Sequence, residues 1–251
     1  MRRASLLVIL LLGGWGVASS PAWAQETNAA PEMSLQQILD TMAARDRERT
    51  ESLRSYAVKR RYQVENKRFG KRAAMEVLVQ YTHPGSKEFK VLSESGSGTV
   101  RRLALRRMIE TEQKTSQDEK LRRETQIAPA NYDFQLLRTE VLDGRPSFVL
   151  SAAPKTKNSL LFRGAVWVDA EDFAVARIEG SPAKNPSFWT RGIRFVHEYR
   201  KFGPFWLPVS NRSHTDVLVF GATEASVEYY DYEIDANAAN GASQVEGQNA
   251  Q

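Results

Sequence analysis

Apolar and polar residues alternate with period two in the early strands of this chain, from Tyr56 to Tyr81, and the changes of pattern on either side mark its architecture. Tyr56, Val58, Arg60, Tyr62 and Val64 alternate with Ala57, Lys59, Arg61 and Gln63, which gives one mostly apolar face and one polar face. After a turn at Asn66–Gly70 the pattern returns, with Ala73, Met75, Val77, Val79 and Tyr81 set against Glu76 and Gln80. His83-Pro84-Gly85 then turns into a third run, Lys87–Leu92. Successive side chains of a strand point to opposite faces, so these runs predict three sequential antiparallel strands with one buried and one wet face. The stretch Ser93–Gly98, all Ser, Gly and one Glu, is expected to break the sheet.

Two segments change to helical spacing. Ser34 can cap a helix whose apolar positions are Leu35, Ile38, Leu39 and Met42, beyond which the sequence turns polar. The second segment, Thr99–Gln126, carries Val100, Leu103, Leu105, Met108 and Ile109 among many Arg, Glu and Lys. A helix with so narrow an apolar stripe, inserted between strands, lies on the sheet or forms a flap.

Strands resume at Tyr132, and Asp143-Gly144 is a hairpin signal followed by a return strand, Pro146–Ala153. From Leu160 to Val217, runs rich in Val, Ile, Phe, Tyr, Trp and Thr are separated by Asp169–Asp172, Ser181–Pro186 and Phe202–Pro204, and Phe220–Ile234 completes the series. Connections this short join antiparallel neighbours, because a parallel crossover takes about a dozen residues or more. About ten strands with two narrow helices to cover them define the expected fold class. It is mainly β (α+β), a curved antiparallel sheet forming an incompletely closed half-barrel with α-helices across its concave apolar face.

Such a face suits an acyl chain or an apolar peptide segment, and the alternative is that its side chains simply fill a closed core. The side chains expected on it are Tyr56, Val58, Tyr62, Val64, Met75, Val77 and Val79 from the early strands, with Ile193, Phe195 and Tyr199 from the later ones. Leu103 and Met108 of the insert, together with Leu35 and Ile38 of the first helix, are expected to cover it.

Composition adds the compartment. Met1-Arg2-Arg3, the uncharged run Leu6–Val17 and Ala22-Trp23-Ala24 are the three parts of a secretory signal, with cleavage expected after Ala24. The apolar run is shorter than the ~20 residues that span a bilayer. The expected layout is a signal peptide at 1–24, a disordered leader at 25–33, one domain at 34–235 and a disordered tail at 236–251. The tail is mostly Ala, Asn, Gly, Gln and Ser. No cysteine is present, which excludes disulfides, thiolate metal sites and thiol catalysis. The net charge of +5 includes Arg2 and Arg3 of the signal. The remaining basic excess is small and spread along the chain, so no nucleic-acid partner is expected.

Candidate chemistry is thin. His83, His197 and His214 lie far apart in sequence. His197 and His214 could face each other across the Phe202–Pro204 turn, but zinc needs three or four convergent ligands and Glu198 falls on the face opposite His197. Asp169, Glu171 and Asp172 are a carboxylate cluster within one turn, where polar residues are wanted in any case. No serine has a nucleophile-elbow context. The sequence thus predicts no catalytic residue, no metal, no cofactor and no enzymatic activity.

The order helix, three strands, helical insert and long meander resembles the periplasmic lipoprotein-sorting carriers of the LolA/LolB type, including the half-barrel of RseB. The local echo is the strand Gly164–Asp169 with its Trp167-Val168-Asp169 end, the turn Ala170–Asp172 and the return strand Phe173–Glu179. The strand entry Phe205-Trp206-Leu207-Pro208 also fits. The resemblance implies an open half-barrel with a helical lid, a lipid-modified client, a membrane donor or acceptor protein and an arginine beside the lid, which the sequence does not single out. Without a lipid-attachment cysteine the chain matches the soluble carrier, and a monomer is expected. The function this implies is a periplasmic carrier that binds acyl chains of lipids or lipoproteins for outer-membrane lipoprotein sorting. Two other readings are an envelope lipid-sensing module acting on a membrane partner and an exported hydrolase.

Overall fold

A computed structural model of the protein describes residues 32–186, 190–217 and 221–236. The expected signal peptide, most of the expected leader and the expected tail after Ala236 lie outside the described residues. The chain opens with α1 (Leu35–Ser52) and three strands, β1 (Leu53–Asn66), β2 (Lys71–Thr82) and β3 (Ser86–Gly96). An insert follows: α2 (Gly98–Val100), a π-helical turn (Arg101–Leu105), α3 (Arg106–Gln117) and α4 (Glu119–Thr125). Seven strands complete the fold: β4 (Tyr132–Leu142), β5 (Arg145–Pro154), β6 (Phe162–Asp169), β7 (Val175–Pro182), β8 (Thr190–Phe202), β9 (Phe205–Val217) and β10 (Gly221–Ala236).

All ten strands form one antiparallel sheet in the order β3-β2-β1-β10-β9-β8-β7-β6-β5-β4. β3 and β4 are its two edges and do not pair with each other, so the sheet is open, a mainly β half-barrel. Asp143 and Gly144 both take positive φ, 50° and 80°, as a two-residue hairpin turn of the primed type requires.

One face is continuous across the whole sheet. A row of paired residues runs Leu136, Leu150, Val166, Ile178, His197, Asn211, Val227, Tyr62, Met75, Glu94 from one edge to the other. The adjacent row carries small residues at most positions, including Ala152, Gly164, Gly180, Ser213, Ala225 and Ala73. The smallness is required where β6 and β7 meet: a Cβ on Gly164 would lie 1.9 Å from the Glu179 carbonyl oxygen.

Two apolar clusters occupy the two halves of this face. Over β4–β7, Ile38, Leu39 and Met42 of α1 pack with Phe148, Leu150, Val166, Val168 and Ile178. Over β1, β2, β9 and β10, Leu105 and Ile109 of the insert pack with Val58, Tyr62, Met75, Val77, Val79 and Val227. Sequence reasoning placed α1 and the insert over one common surface; in the structure Leu35 and Ile38 belong to the β4–β7 cluster, while Met108 lies on the other. The polar second half of α1 is held by Arg49, which donates to the Asp172 and Phe173 carbonyls at 2.9 and 3.4 Å.

Two further expectations need correction. Ser93–Gly96 does not leave the sheet, because β3 is an edge strand that tolerates polar residues; Gly96 still pairs with Ala73, and the chain departs at Ser97. The insert is not one continuous helix. It breaks at Asp118, whose extended backbone ends α3 and whose carboxylate accepts the Leu121 N–H at 3.0 Å to start α4.

The carboxylate turn after β6 is a structural tie. Asp169 is 1% exposed and accepts from the Glu171 and Asp172 backbone N–H groups at 3.1 and 2.7 Å. Arg145 donates to both oxygens of Asp169 and also pairs with Glu171 and Asp172 at 2.8 and 3.2 Å. Asp172 in turn accepts from Lys201 and from the Trp206 indole, each at 3.0 Å, which fastens the β8–β9 hairpin to the same turn.

Candidate functional site

The insert's half of the sheet carries most of the side chains singled out from sequence. Tyr56, Val58, Tyr62, Val64, Met75, Val77 and Val79 are all buried in one cluster, with Met108 packed against it. Phe195 and Tyr199, at the middle of the sheet, pack instead against the α1 cluster. Ile193 lies where the β8–β9 register shifts between Arg191 and Arg194, so strict alternation cannot align it with Phe195. It belongs to neither cluster among the described residues. The side chain of Leu103 lies outside the described residues.

The residue that sequence reasoning passed over is Arg60. It occupies a buried-phase position of β1, between Val58 and Tyr62, and is only 2% exposed. An arginine at an inward position of a strict alternation was the available signal. Its guanidinium lies over the Tyr229 ring at 4.8 Å and the Phe89 ring at 5.9 Å, and donates to the Tyr62 hydroxyl at 3.2 Å. Its charge is matched from the insert, because Arg60 donates to Glu112 of α3 at 2.7 Å. The other Glu112 oxygen accepts from Lys87 of β3, also at 2.7 Å.

The insert's remaining polar ties are peripheral. Glu94 of β3 receives Arg101 at 2.9 Å and Arg106 at 2.8 Å, and Arg122 of α4 donates to the Pro84 carbonyl at 2.9 Å. Partly exposed ion pairs of this kind contribute ~0–1 kcal/mol each. α1 and the insert are therefore attached differently. α1 packs Leu35, Ile38, Leu39 and Met42 on the sheet and adds the Arg49 tie, whereas the insert packs Val100, Ala104, Leu105, Met108 and Ile109 and adds several ion pairs to β1 and β3.

Burial alone would raise the Glu112 carboxyl, but Lys87 and Arg60 outweigh it and hold its pKa down at about 2. Burial would likewise disfavour the charged Arg60, and Glu112 reverses that and raises it. A carboxyl depressed in the folded state stabilises above its ordinary range, and that contribution is lost as pH falls through the folded value. Hydrogen exchange of the α3 amides, corrected for intrinsic rate, is therefore expected to stay constant from pH 8 to 5. Protection should fade between about pH 4 and 2. Protection lost already between pH 7 and 5 would contradict the assignment.

His197 is kept towards its neutral form by burial, opposed by a hydrogen bond with Asn211 and by the charge of Glu112. It sits beside the Phe195 ring at 5.2 Å. His197 pairs with Asn211 and His214 with Arg194, so the two histidines do not face each other across the β8–β9 hairpin. Among the described residues, no group of three or more His, Cys, Asp or Glu is placed to hold a metal ion. No helix among them is long and apolar enough to cross a membrane. Burial raises Tyr199 to about 12, so its hydroxyl is a neutral donor on this face.

No protein-family model matches the sequence, and no curated protein matches it. Solved structures resemble the fold at a distance. A LolA superfamily protein from Nitrosomonas europaea is 14% identical over 81% of this chain and 94% of its own, with a TM-score of 0.41. A domain from Vibrio parahaemolyticus named for outer membrane lipoprotein sorting is 10% identical over 82% and 94%, with a TM-score of 0.42. MucB of Pseudomonas aeruginosa, solved with MucA, is 12% identical over 79% and 93%, with a TM-score of 0.25. Likenesses this remote concern the course of the chain and say nothing of what this protein binds.

Proposed function

We propose that this protein is a periplasmic carrier that holds the acyl chains of a lipid or lipoprotein between the β1–β2–β10–β9 half of its sheet and the insert, for outer-membrane lipoprotein sorting. The observation that carries this reading is the contrast between the two covers. Here the face formed by Val58, Tyr62, Met75, Val77 and Val79 lies under an insert that is broken at Asp118 and is fastened to the strands by ion pairs as well as by apolar packing. Moving an acyl chain through water costs ~0.8 kcal/mol for each exposed CH₂, so a carrier needs a large apolar face and a cover that can be lifted without unfolding the rest. The Met1–Ala24 segment supports export. In this role the chain needs no catalytic residue, and its tyrosines, histidine and arginine are ligand-facing polar groups.

Native mass spectrometry of the protein isolated from the periplasm of a two-membrane bacterium tests this reading, together with titration by a fluorescent fatty-acyl probe. The expected result is a co-purifying acyl-bearing species and saturable probe binding. A protein free of acyl species that does not bind the probe is not a carrier. A membrane protein whose affinity for this chain changes with bound lipid would mark a sensor in place of a carrier.

A further inference from the structure

Sequence reasoning read the basic excess as spread along the chain; folding gathers it at one end of the sheet. The β1–β2 turn holds Lys67, Arg68, Lys71 and Arg72 around Phe69, and the insert opens with Arg101, Arg102, Arg106 and Arg107. These two segments are neighbours in space, because Gly96 pairs with Ala73 and the Arg72 carbonyl accepts the Ser97 N–H at 2.9 Å where the insert leaves β3. Residues 65–72 and 94–107 together hold eight Lys and Arg against Glu65 and Glu94, and Glu224 of β10 brings a third carboxylate by pairing with Lys67. This end therefore carries a charge of +5, as large as the formal charge of the whole sequence. Arg72 is matched to Glu65, and Arg101 and Arg106 share Glu94. Lys71, Arg102 and Arg107 are exposed and enter no ion pair among the described residues.

Phe69 stands at the apex of the turn, 51% exposed, with its N–H held by the Asn66 side chain at 3.0 Å. A turn tip ordinarily takes a polar residue, and a ring there gains nothing from water. The Arg68 guanidinium lies over that ring at 5.6 Å. An apolar ring set among cations matches a boundary at which phosphate oxygens overlie hydrocarbon.

We propose that this end of the sheet docks the protein on an anionic phospholipid bilayer, with the cations against lipid phosphates and Phe69 among the upper acyl carbons. The cluster supplies the electrostatic attraction and the ring a small apolar anchor, a pair of weak signals that gives reversible attachment. Docked in this way, the protein holds the start of its insert, from Ser97 to Arg107, against the membrane surface. The proposal goes beyond the carrier reading and does not depend on it, since the cations and the ring lie outside the face that would hold an acyl chain.

Co-sedimentation of the exported protein with vesicles tests this, using phosphatidylcholine alone and phosphatidylcholine mixed with phosphatidylglycerol. Binding is expected on the anionic vesicles only, and is expected to be lost in about 0.5 M NaCl. Lys71→Gln combined with Arg102→Gln takes one exposed cation from each segment and should weaken binding about tenfold or more. Phe69→Ser should weaken it about tenfold while leaving the preference for phosphatidylglycerol in place. Arg200→Gln, an exposed cation at the opposite end of β8, should stay within about twofold of wild type. All these side chains are exposed, so the melting temperature, measured alongside, should be unchanged. If both kinds of vesicle bind equally, or if the Lys71 and Arg102 changes weaken binding no more than Arg200→Gln, the cluster is not a bilayer contact. Retention by polyglutamate without vesicle binding would assign it to an acidic protein and overturn the proposal. In each case the carrier reading stands or falls separately, on the fatty-acyl probe.

Discussion

Val166→Glu is expected to leave the protein unfolded at 25 °C, while Val77→Glu is expected to leave the sheet folded and set the insert free. Both valines are 0% exposed, and both substitutions introduce the same carboxylate. The difference lies in what faces each one. Val166 sits under α1 with Leu150 and Ile178, both apolar, as its cross-strand partners. A buried, unpaired carboxylate there costs several kcal/mol, a large share of the ~5–15 kcal/mol that holds a domain together. Val77 pairs directly with Arg60 on β1, and cross-strand neighbours of this kind hold their Cβ atoms ~5 Å apart. A glutamate at 77 can take Arg60 from Glu112, so the new charge is matched and the loss falls on the insert. Circular dichroism melting, with tryptic cleavage between residues 98 and 125, separates the cases. Val77→Glu should keep a cooperative melt and gain about tenfold or more in insert cleavage, whereas Val166→Glu should show no melt. If the two variants collapse alike, the insert is part of a single indivisible core and is not a lid.

Asp169→Ala is expected to lower stability by about 3 kcal/mol, which for a domain of this size is a fall in melting temperature of roughly 6–12 °C. The carboxylate is 1% exposed, so its removal cannot be made good by water. Two backbone N–H groups lose their acceptor, and Arg145 loses its bidentate partner while retaining Glu171 and Asp172. Asp169→Asn keeps an acceptor for the turn but not the charge, and should fall between the two. A change below about 1 kcal/mol in Asp169→Ala would mean that Lys201, Trp206 and Arg49 secure the turn without it.

β1 and β2 were legible because each has a single buried face, and the later strands because β-branched and aromatic runs lie between clear turn signals. The edge was harder to place. Ser93–Gly96 has nothing to bury on either side, and only its pairing with β2 keeps it extended. The registers that decide the site were not legible either. Ile193 read as aligned with Phe195, but the bulge before Arg194 shifts it, and bulges leave little trace in composition. Arg60 was visible as an arginine in an apolar series, yet its partner is 52 residues away and approaches from a different layer. Local pattern cannot report a pairing of that kind. The same holds for the division of covers: Leu35, Ile38 and Met108 are all apolar at helical spacing, and nothing local says which half of the sheet each will meet.

The strand order has a consequence for how this sheet comes into being. β1–β3 form one local meander and β4–β10 another, each closed by short turns, and they meet only where β1 pairs with β10. At that seam Tyr62 lies opposite Val227, so the entropy of closing a very long loop is concentrated in one pairing, between the earliest and the latest strand to be made. A chain that stops before Gly221 holds nine of the ten strands and still has no way to join three of them to the other six. The half-sheet beneath the insert therefore acquires its far wall only after the last strand has been delivered.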